Sequence, residues 1–225
     1  NMARVICLGI GYLFGLIQTG YFYGKAQGVD IRQHGSGNSG ATNTLRVLGK
    51  KAGLIVFLGD FLKALIPCVL VKLFWGDGAL YSHVLLLYTG FGVTLGHNYP
   101  FYLGFKGGKG IAVMAGILVA SDLRITLVCA AVFIGCVAIT RFVSLGSLLV
   151  ATIFWSMTAW FTLTGSYGAA AFHDISGMTS MNTSAIKTEC IAVAFVIAAM
   201  AFWRHRANIG RLLRGTENKL GAKKS

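Results

Sequence analysis

Apolar residues run along this chain in long blocks, separated by short stretches rich in glycine and basic residues. Residues 3–23 form the first block, long enough as a helix to cross a hydrocarbon core of about 30 Å. A polar loop follows over 25–52, then a second block over 53–75, a turn at Gly76-Asp77-Gly78 and a third block over 79–96. Residues 97–110 make a second glycine-rich loop. Residues 111–140 are apolar but broken by Ser121-Asp122-Leu123-Arg124, which predicts a hairpin of two short helices, the first too short to cross alone. A short polar turn covers 141–147, a crossing 148–166, a mixed loop 167–184, the last crossing 185–203 and a basic tail 204–225. The pattern predicts an all-α, polytopic integral membrane protein with about seven transmembrane helices, some short. It forms a single membrane-embedded domain over 1–225, without a legible repeat.

Composition agrees. The 225 residues are 55% hydrophobic and only 12% charged, where a soluble domain carries about 25% charged residues. The first block lacks a small-residue cleavage site and is expected to stay in the protein as a span. The five cysteines all fall in apolar runs, without metal or disulfide spacing, and read as buried inert thiols. The net charge of +13 is unevenly placed. If the segments alternate sides, one side holds Arg4, Arg124 and Lys187. The other holds Lys25, Arg32, Arg46, Lys50, Lys51, Lys106, Lys109, Arg141, Arg204, Arg206, Arg211, Arg214, Lys219, Lys223 and Lys224. Lys and Arg mark the cytoplasmic face, so the N-terminus is expected outside, the C-terminus inside and both glycine loops in the cytoplasm. A nucleic-acid binder would carry its charge on a soluble face interleaved with aromatics, which does not fit.

The first glycine loop, Gly35-Ser36-Gly37-Asn38-Ser39-Gly40-Ala41-Thr42-Asn43-Thr44-Leu45-Arg46, can curl so that successive N–H groups face one anion. Ser36, Thr42 and Thr44 offer hydroxyls, Asn38 and Asn43 amides, and Arg46 a forked cation. These twelve residues read as a phosphate cradle because they sit between membrane spans. Gly35, Gly37 and Gly40 match G-x-G-x-x-G, but Arg32-Gln33-His34 is no buried strand and Asp60 lies in an apolar span, so a dinucleotide site is excluded. Gly108-Lys109 is followed by Gly110, and Leu103 holds the first-glycine position, which excludes a Walker loop.

In the second loop, Lys106 reads equally as a phosphate contact or a positive-inside anchor, whereas Lys109, nearer the apolar run, reads as functional. His205 and Asn208 share a face if the last helix continues, where they could orient a hydroxyl nucleophile; a basic interfacial tail is the competing reading. Asp60 and Lys63 sit inside the second span at i, i+3, as a structural ion pair or as site residues. Ser144 and Ser147 add hydroxyls. Glu217, the only acid in the tail, can hold an arginine. No histidine begins a His-x-x-x-x-Asp dyad, and no Ser-His-Asp constellation is arguable.

Gly35 to Arg46, Gly96-His97-Asn98-Tyr99-Pro100 through Gly107-Gly108-Lys109-Gly110, and His205 through Asn208 to Glu217 together resemble the bacterial acyl-phosphate-dependent glycerol-3-phosphate acyltransferases. The likeness spans nearly the whole chain; the 167–184 loop is longer than the family leads one to expect. It implies acyl transfer from a fatty acyl phosphate to the 1-hydroxyl of sn-glycerol 3-phosphate, giving lysophosphatidic acid and phosphate, the first step of phospholipid synthesis. It also implies no cofactor, no metal, no acyl-CoA or carrier-protein donor, and a monomer in the bacterial cytoplasmic (inner) membrane without an obligatory protein partner. By the same resemblance His205, Asn208, Lys109, Ser36 and Arg46 are catalytic, and Gly37, Asn38, Gly40, Thr42, Asn43, His97, Gly108, Ser144, Ser147 and Glu217 bind substrate. Two phosphorylated substrates call for two anion pockets, and the two glycine loops could supply one each. The alternative class is a transporter for a phosphorylated solute, which seven spans and buried charges also suit. Against it stand the lack of a repeat and the crowding of polar motifs on one face.

Overall fold

The computed structural model describes residues 2–75, 79–167 and 180–221. Among them lie ten α-helices, two short 3-10 turns and no strand. Five helical segments among the described residues are long and apolar enough to cross a membrane: Met2–Ala26, Lys50–Phe74, Leu123–Thr140, Val143–Thr164 and Thr183–Arg204. The turn expected at 76–78 and most of the 167–184 loop lie outside the described residues.

The first span is not one helix. α1 (Met2–Gly15) stops and α2 (Thr19–Ala26) restarts after Gln18. Irregular backbone at membrane depth persists only where other groups satisfy it. Here the Gln18 amide donates to the carbonyls of Gly15, Gly96 and His97 at 3.1–3.2 Å. Lys63 and Tyr102 donate to the carbonyls of Ile17 and Leu16, both at 2.5 Å.

α3 (Ala41–Leu48) lies inside what the sequence marked as a polar loop, and α4 (Lys50–Phe74) follows after Gly49, whose φ of +88° makes the corner. α5 (Ala79–Asn98) is the central post, buried on nearly every face and packed against α1, α4 and α9 (Ser180–Arg204). Gly11 and Gly15 of α1 meet Gly92 and Gly96 of α5 backbone to backbone. A Cβ on Gly96 would collide with the Tyr12 carbonyl, and one on Gly15 with the Val93 carbonyl. Small residues four apart on both helices permit this approach, which dispersion then rewards.

α6 (Ile111–Ser121) and α7 (Leu123–Thr140) form the expected hairpin. Asp122 breaks it and caps α7 by accepting the Arg124 N–H at 2.8 Å. α8 runs Val143–Thr164, so Ser144 and Ser147 belong to its first turns and not to a polar turn. After α9, His205 interrupts the helix and α10 (Arg206–Leu213) turns away. The segment read as a free tail folds back: Leu220 N–H donates to the Arg141 carbonyl at 2.8 Å, and the Arg141 guanidinium donates to the Leu220 carbonyl at 2.7 and 3.0 Å.

Candidate active site

At the end of the bundle where α3, α6, α8 and α10 begin lies a cavity of about 180 Å³. Every residue that the family likeness assigned to the site lines it except Gly37 and Gly108; of the further candidates, Thr44 and Lys106 also lie off it. Both glycine loops open into this one space, instead of forming two separate pockets.

The first loop is shaped from inside. The Asn43 amide nitrogen donates to the carbonyls of Ile31, His34 and Asn38 at 2.9–3.1 Å, and its oxygen accepts the Ser36 N–H at 2.8 Å. Asn43 is therefore spent on holding the loop. Asn38 accepts from the Gly40 N–H at 2.9 Å and reaches the Gly107 carbonyl at 3.4 Å, which ties the two loops together. Thr44 turns its hydroxyl back to the Gly40 carbonyl and is buried away from the cavity. Gly35 and Gly37 bend the chain with φ of +61° and +70°, Gly37 on the exposed side. Ser36, Thr42 and Arg46 have no hydrogen-bond partner for their side-chain polar atoms among the described residues, and all three line the cavity.

The second loop braces the site with its backbone. Gly108 packs on the His97 ring so closely that a Cβ would strike it, and Arg204 donates to the Gly107 and Gly108 carbonyls at 2.7 and 2.9 Å. Gly108 thus seats Lys109 without touching the cavity, and Lys106 is exposed away from it. Lys63 donates to His97 Nδ1 at 2.9 Å and pairs with Asp60 at 2.8 Å. An ammonium can only donate, so His97 carries its proton on Nε2. Asp60 also lines the cavity, so the buried pair is both ion pair and wall.

Lys109 Nζ donates to Asn208 Oδ1 at 2.6 Å, and the Asn208 amide nitrogen donates to Glu217 Oε1 at 2.7 Å. Glu217 also accepts from Ser144 at 3.1 Å and from Arg211 at 2.8 Å. Ser147 gives its hydroxyl proton to the Val143 carbonyl at 2.8 Å and can only accept from the cavity. His205 Nδ1 lies 2.7 Å from the Ala201 carbonyl, an obligate acceptor, so Nδ1 is protonated and Nε2 holds the lone pair. Burial, helped by Lys109, lowers the His205 pKa to about 4, so the ring is neutral at pH 7. Burial, with Arg211 adding to it, lowers Lys109 to about 8. Arg46 is pulled below its usual value, chiefly by burial. Desolvated cations that crowd one another become more stable when an anion arrives.

Sequence reasoning missed a further feature. Ala41 and Thr42, Ile111 and Ala112, and Val143 and Ser144 stand in the first turns of α3, α6 and α8, and all line the cavity. Three helix N-termini, with their unpaired N–H groups and positive dipole ends, therefore converge on it. The signal was present for two of the three as Gly40-Ala41 and Gly110-Ile111, a glycine at the foot of α3 and of α6, whereas α8 follows Phe142. Phe57 of α4 and Phe133 of α7 form an apolar wall of the cavity, and Phe57 is 40% exposed.

Fold and cavity together define an integral membrane protein with a cleft lined by cations and helix N-termini at one end of a helix bundle. The sequence profile of the family described as glycerol-3-phosphate acyltransferase matches residues 5–215. A glycerol-3-phosphate acyltransferase of Clostridioides difficile is 39% identical over 226 residues, covering 98% of this chain and 97% of its own. One of Aquifex aeolicus is 38% identical, covering 97% and 100%. The crystal structure of PlsY, an integral membrane glycerol 3-phosphate acyltransferase in its glycerol 3-phosphate form, superposes with a TM-score of 0.78 at 35% identity, covering 97% of this chain and 96% of that one. The lysophosphatidic acid form of PlsY gives 0.75 at 34%. The chain belongs to the glycerol-3-phosphate acyltransferase family and is an acyltransferase of phospholipid synthesis.

Proposed function

We propose that this enzyme transfers a fatty acyl group from acyl phosphate to the 1-hydroxyl of sn-glycerol 3-phosphate, giving lysophosphatidic acid and inorganic phosphate. The observation that carries this reading is one cavity holding Arg46, Lys109 and three helix N-termini beside an apolar wall of Phe57 and Phe133. Both substrates carry phosphate, and the donor also carries a long chain that needs a site open to the bilayer. The relatives' names and the two ligand forms of PlsY support the same acceptor and product.

Arg46, Ser36 and the α3 N-terminus take one phosphate, and Lys109 with the α6 N-terminus the other. His205 Nε2 accepts the hydrogen bond of the 1-hydroxyl and points its oxygen at the acyl carbon. With a pKa of about 4, His205 is too weak a base to hold the proton at neutral pH. It positions the hydroxyl, whose oxygen bonds to the carbonyl carbon as the carbon–phosphate oxygen bond breaks. The hydroxyl proton leaves with the departing phosphate, and the helix N-termini face the charge that develops. The remaining features belong to the same proposal: a single membrane domain, a monomer without cofactor or metal, and a site facing the cytoplasm of a bacterial inner membrane.

Purified protein supplied with acyl phosphate and radiolabelled glycerol 3-phosphate in detergent should form labelled lysophosphatidic acid, and acyl-CoA should not replace the donor. Detergent removes any meaning from transport, so product formation there also separates the enzyme from a carrier. Comparable rates with acyl-CoA, or no product in any lipid or detergent, overturn the assignment.

A further inference from the structure

On the outer flank of α8 and α9, away from the catalytic cavity, runs a groove of about 550 Å³. Its walls are Trp155, Phe195, Ala199, Phe202 and Trp203, over a floor that includes Ala151, and Arg206 is the one charged residue on it. Phe195, Phe202 and Trp203 are 52%, 40% and 60% exposed, so this surface meets acyl chains in a bilayer. Arg206 stands where α9 gives way to α10, with its guanidinium 4.7 Å over the Trp203 ring and one N–H on the Trp203 carbonyl at 3.1 Å. A tryptophan and an arginine at the end of a span sit at headgroup depth.

We propose that this groove binds one phospholipid of the surrounding bilayer and selects an anionic headgroup through Arg206. The charge argument runs through the whole molecule. Arg206 makes no ion pair among the described residues. Each acidic side chain described is already paired: Asp30 with Arg32, Asp60 with Lys63, Asp122 with Arg124, Glu189 with Arg4 and Glu217 with Arg211. A second copy of the described structure therefore has no free carboxylate to offer Arg206, whereas the bilayer supplies phosphates at that depth. Basic residues at the mouth of an apolar crevice between helices are the usual seat of anionic lipid headgroups. The lipid also has a structural consequence. Arg206 faces the groove while its neighbour His205 faces the cavity, so a headgroup on Arg206 pins the start of α10, the helix that carries Asn208.

Trp155 and Trp203 line the groove and report on it once Trp75 and Trp160 are changed to phenylalanine. In that protein, phosphatidylglycerol with brominated chains should quench the remaining fluorescence at about fivefold lower mole fraction than brominated phosphatidylcholine. Arg206→Gln should remove the difference and Arg206→Lys should keep it, and Ala199→Phe should reduce quenching by both lipids. Arg206 and Ala199 are both exposed, so these variants should retain the fold. The readout needs no turnover and stands apart from the assigned reaction. Equal quenching by the two lipids, or a preference that survives Arg206→Gln, overturns the proposal. So does the absence of quenching, which is what a second copy seated on the groove would give.

Discussion

An ammonium that burial leaves titrating near pH 8 loses its charge in a range where an ordinary lysine keeps it. Lys109 is proposed to meet a substrate phosphate, which needs the protonated form. That form dominates below its pKa, so kcat/KM should hold below pH 8 and fall up to about tenfold per unit above it. In Lys109→Arg the guanidinium stays charged and the alkaline limb should vanish, whatever the absolute rate. An unchanged limb would assign the titration elsewhere. Arg46→Ala removes a charge-assisted contact of about 1.5–3 kcal/mol, about one to two decades in kcat/KM, with much of the loss in KM. His205 separates positioning from proton transfer. His205→Ala should lower kcat, and His205→Gln, which can still hydrogen-bond a hydroxyl, should recover a substantial part of it. Activity in His205→Gln as low as in alanine would make His205 the base. Asn208 lines the cavity, where it is proposed to help hold the acceptor. It bridges Lys109 and Glu217, so Asn208→Ala frees the ammonium that the phosphate needs held in place.

The elements show which features were legible in the chain and which were not. The apolar blocks and the Asp122 break were readable because burial in lipid and a capping aspartate leave strong one-dimensional signals. α3 was not, because eight residues with four polar side chains look like loop when only span-length blocks are sought. Its helical form follows from tertiary context: Gly40 starts it, and Asn43 on its first turn ties down the loop before it. The start of α8 at Val143 was hidden the same way by Ser144, Gly146 and Ser147. The break at Gln18 left almost no signal, because the groups that permit it come from α4, α5 and the second loop, far away in sequence. The α1–α5 seam could have been read from Gly11, Gly15, Gly92 and Gly96, spaced four apart in two spans. That spacing carries a stability prediction. Gly96→Leu places a side chain against the Tyr12 carbonyl and the Gly15 backbone, and the two helices cannot separate without releasing α5 from the core. The cost should be about 1–3 kcal/mol, seen as a lower unfolding midpoint in detergent, whereas substitution at Gly9, which has open space around it, should leave the midpoint unchanged.

At the scale of the whole molecule, four separated segments meet at one end: the first glycine loop with α3, the second loop, the start of α8, and residues 205–217. Basic residues follow the same partition, which the positive-inside rule turns into a sidedness. The opposite end is held by Arg4, whose guanidinium grips Glu189 at 2.5 and 2.8 Å while Tyr88 donates to the same carboxylate at 2.9 Å. The site is therefore expected in the cytoplasm and the Arg4–Glu189 end outside. Single cysteines test this directly, but their placement must respect the structure. Gly108 is buried against His97 and Gly37 has a positive φ, so neither tolerates the reporter. His34 and Lys106 are exposed at the same end and lie off the cavity, and Leu123 is exposed at the α6–α7 corner. Four native cysteines are buried and Cys136 is partly exposed, so Cys136→Ser makes a suitable background. In intact cells an impermeant thiol reagent should modify Leu123→Cys and spare His34→Cys and Lys106→Cys; inverted vesicles should reverse the pattern. Modification of His34→Cys from outside would invert the topology and put the proposed site on the face away from the cytoplasm.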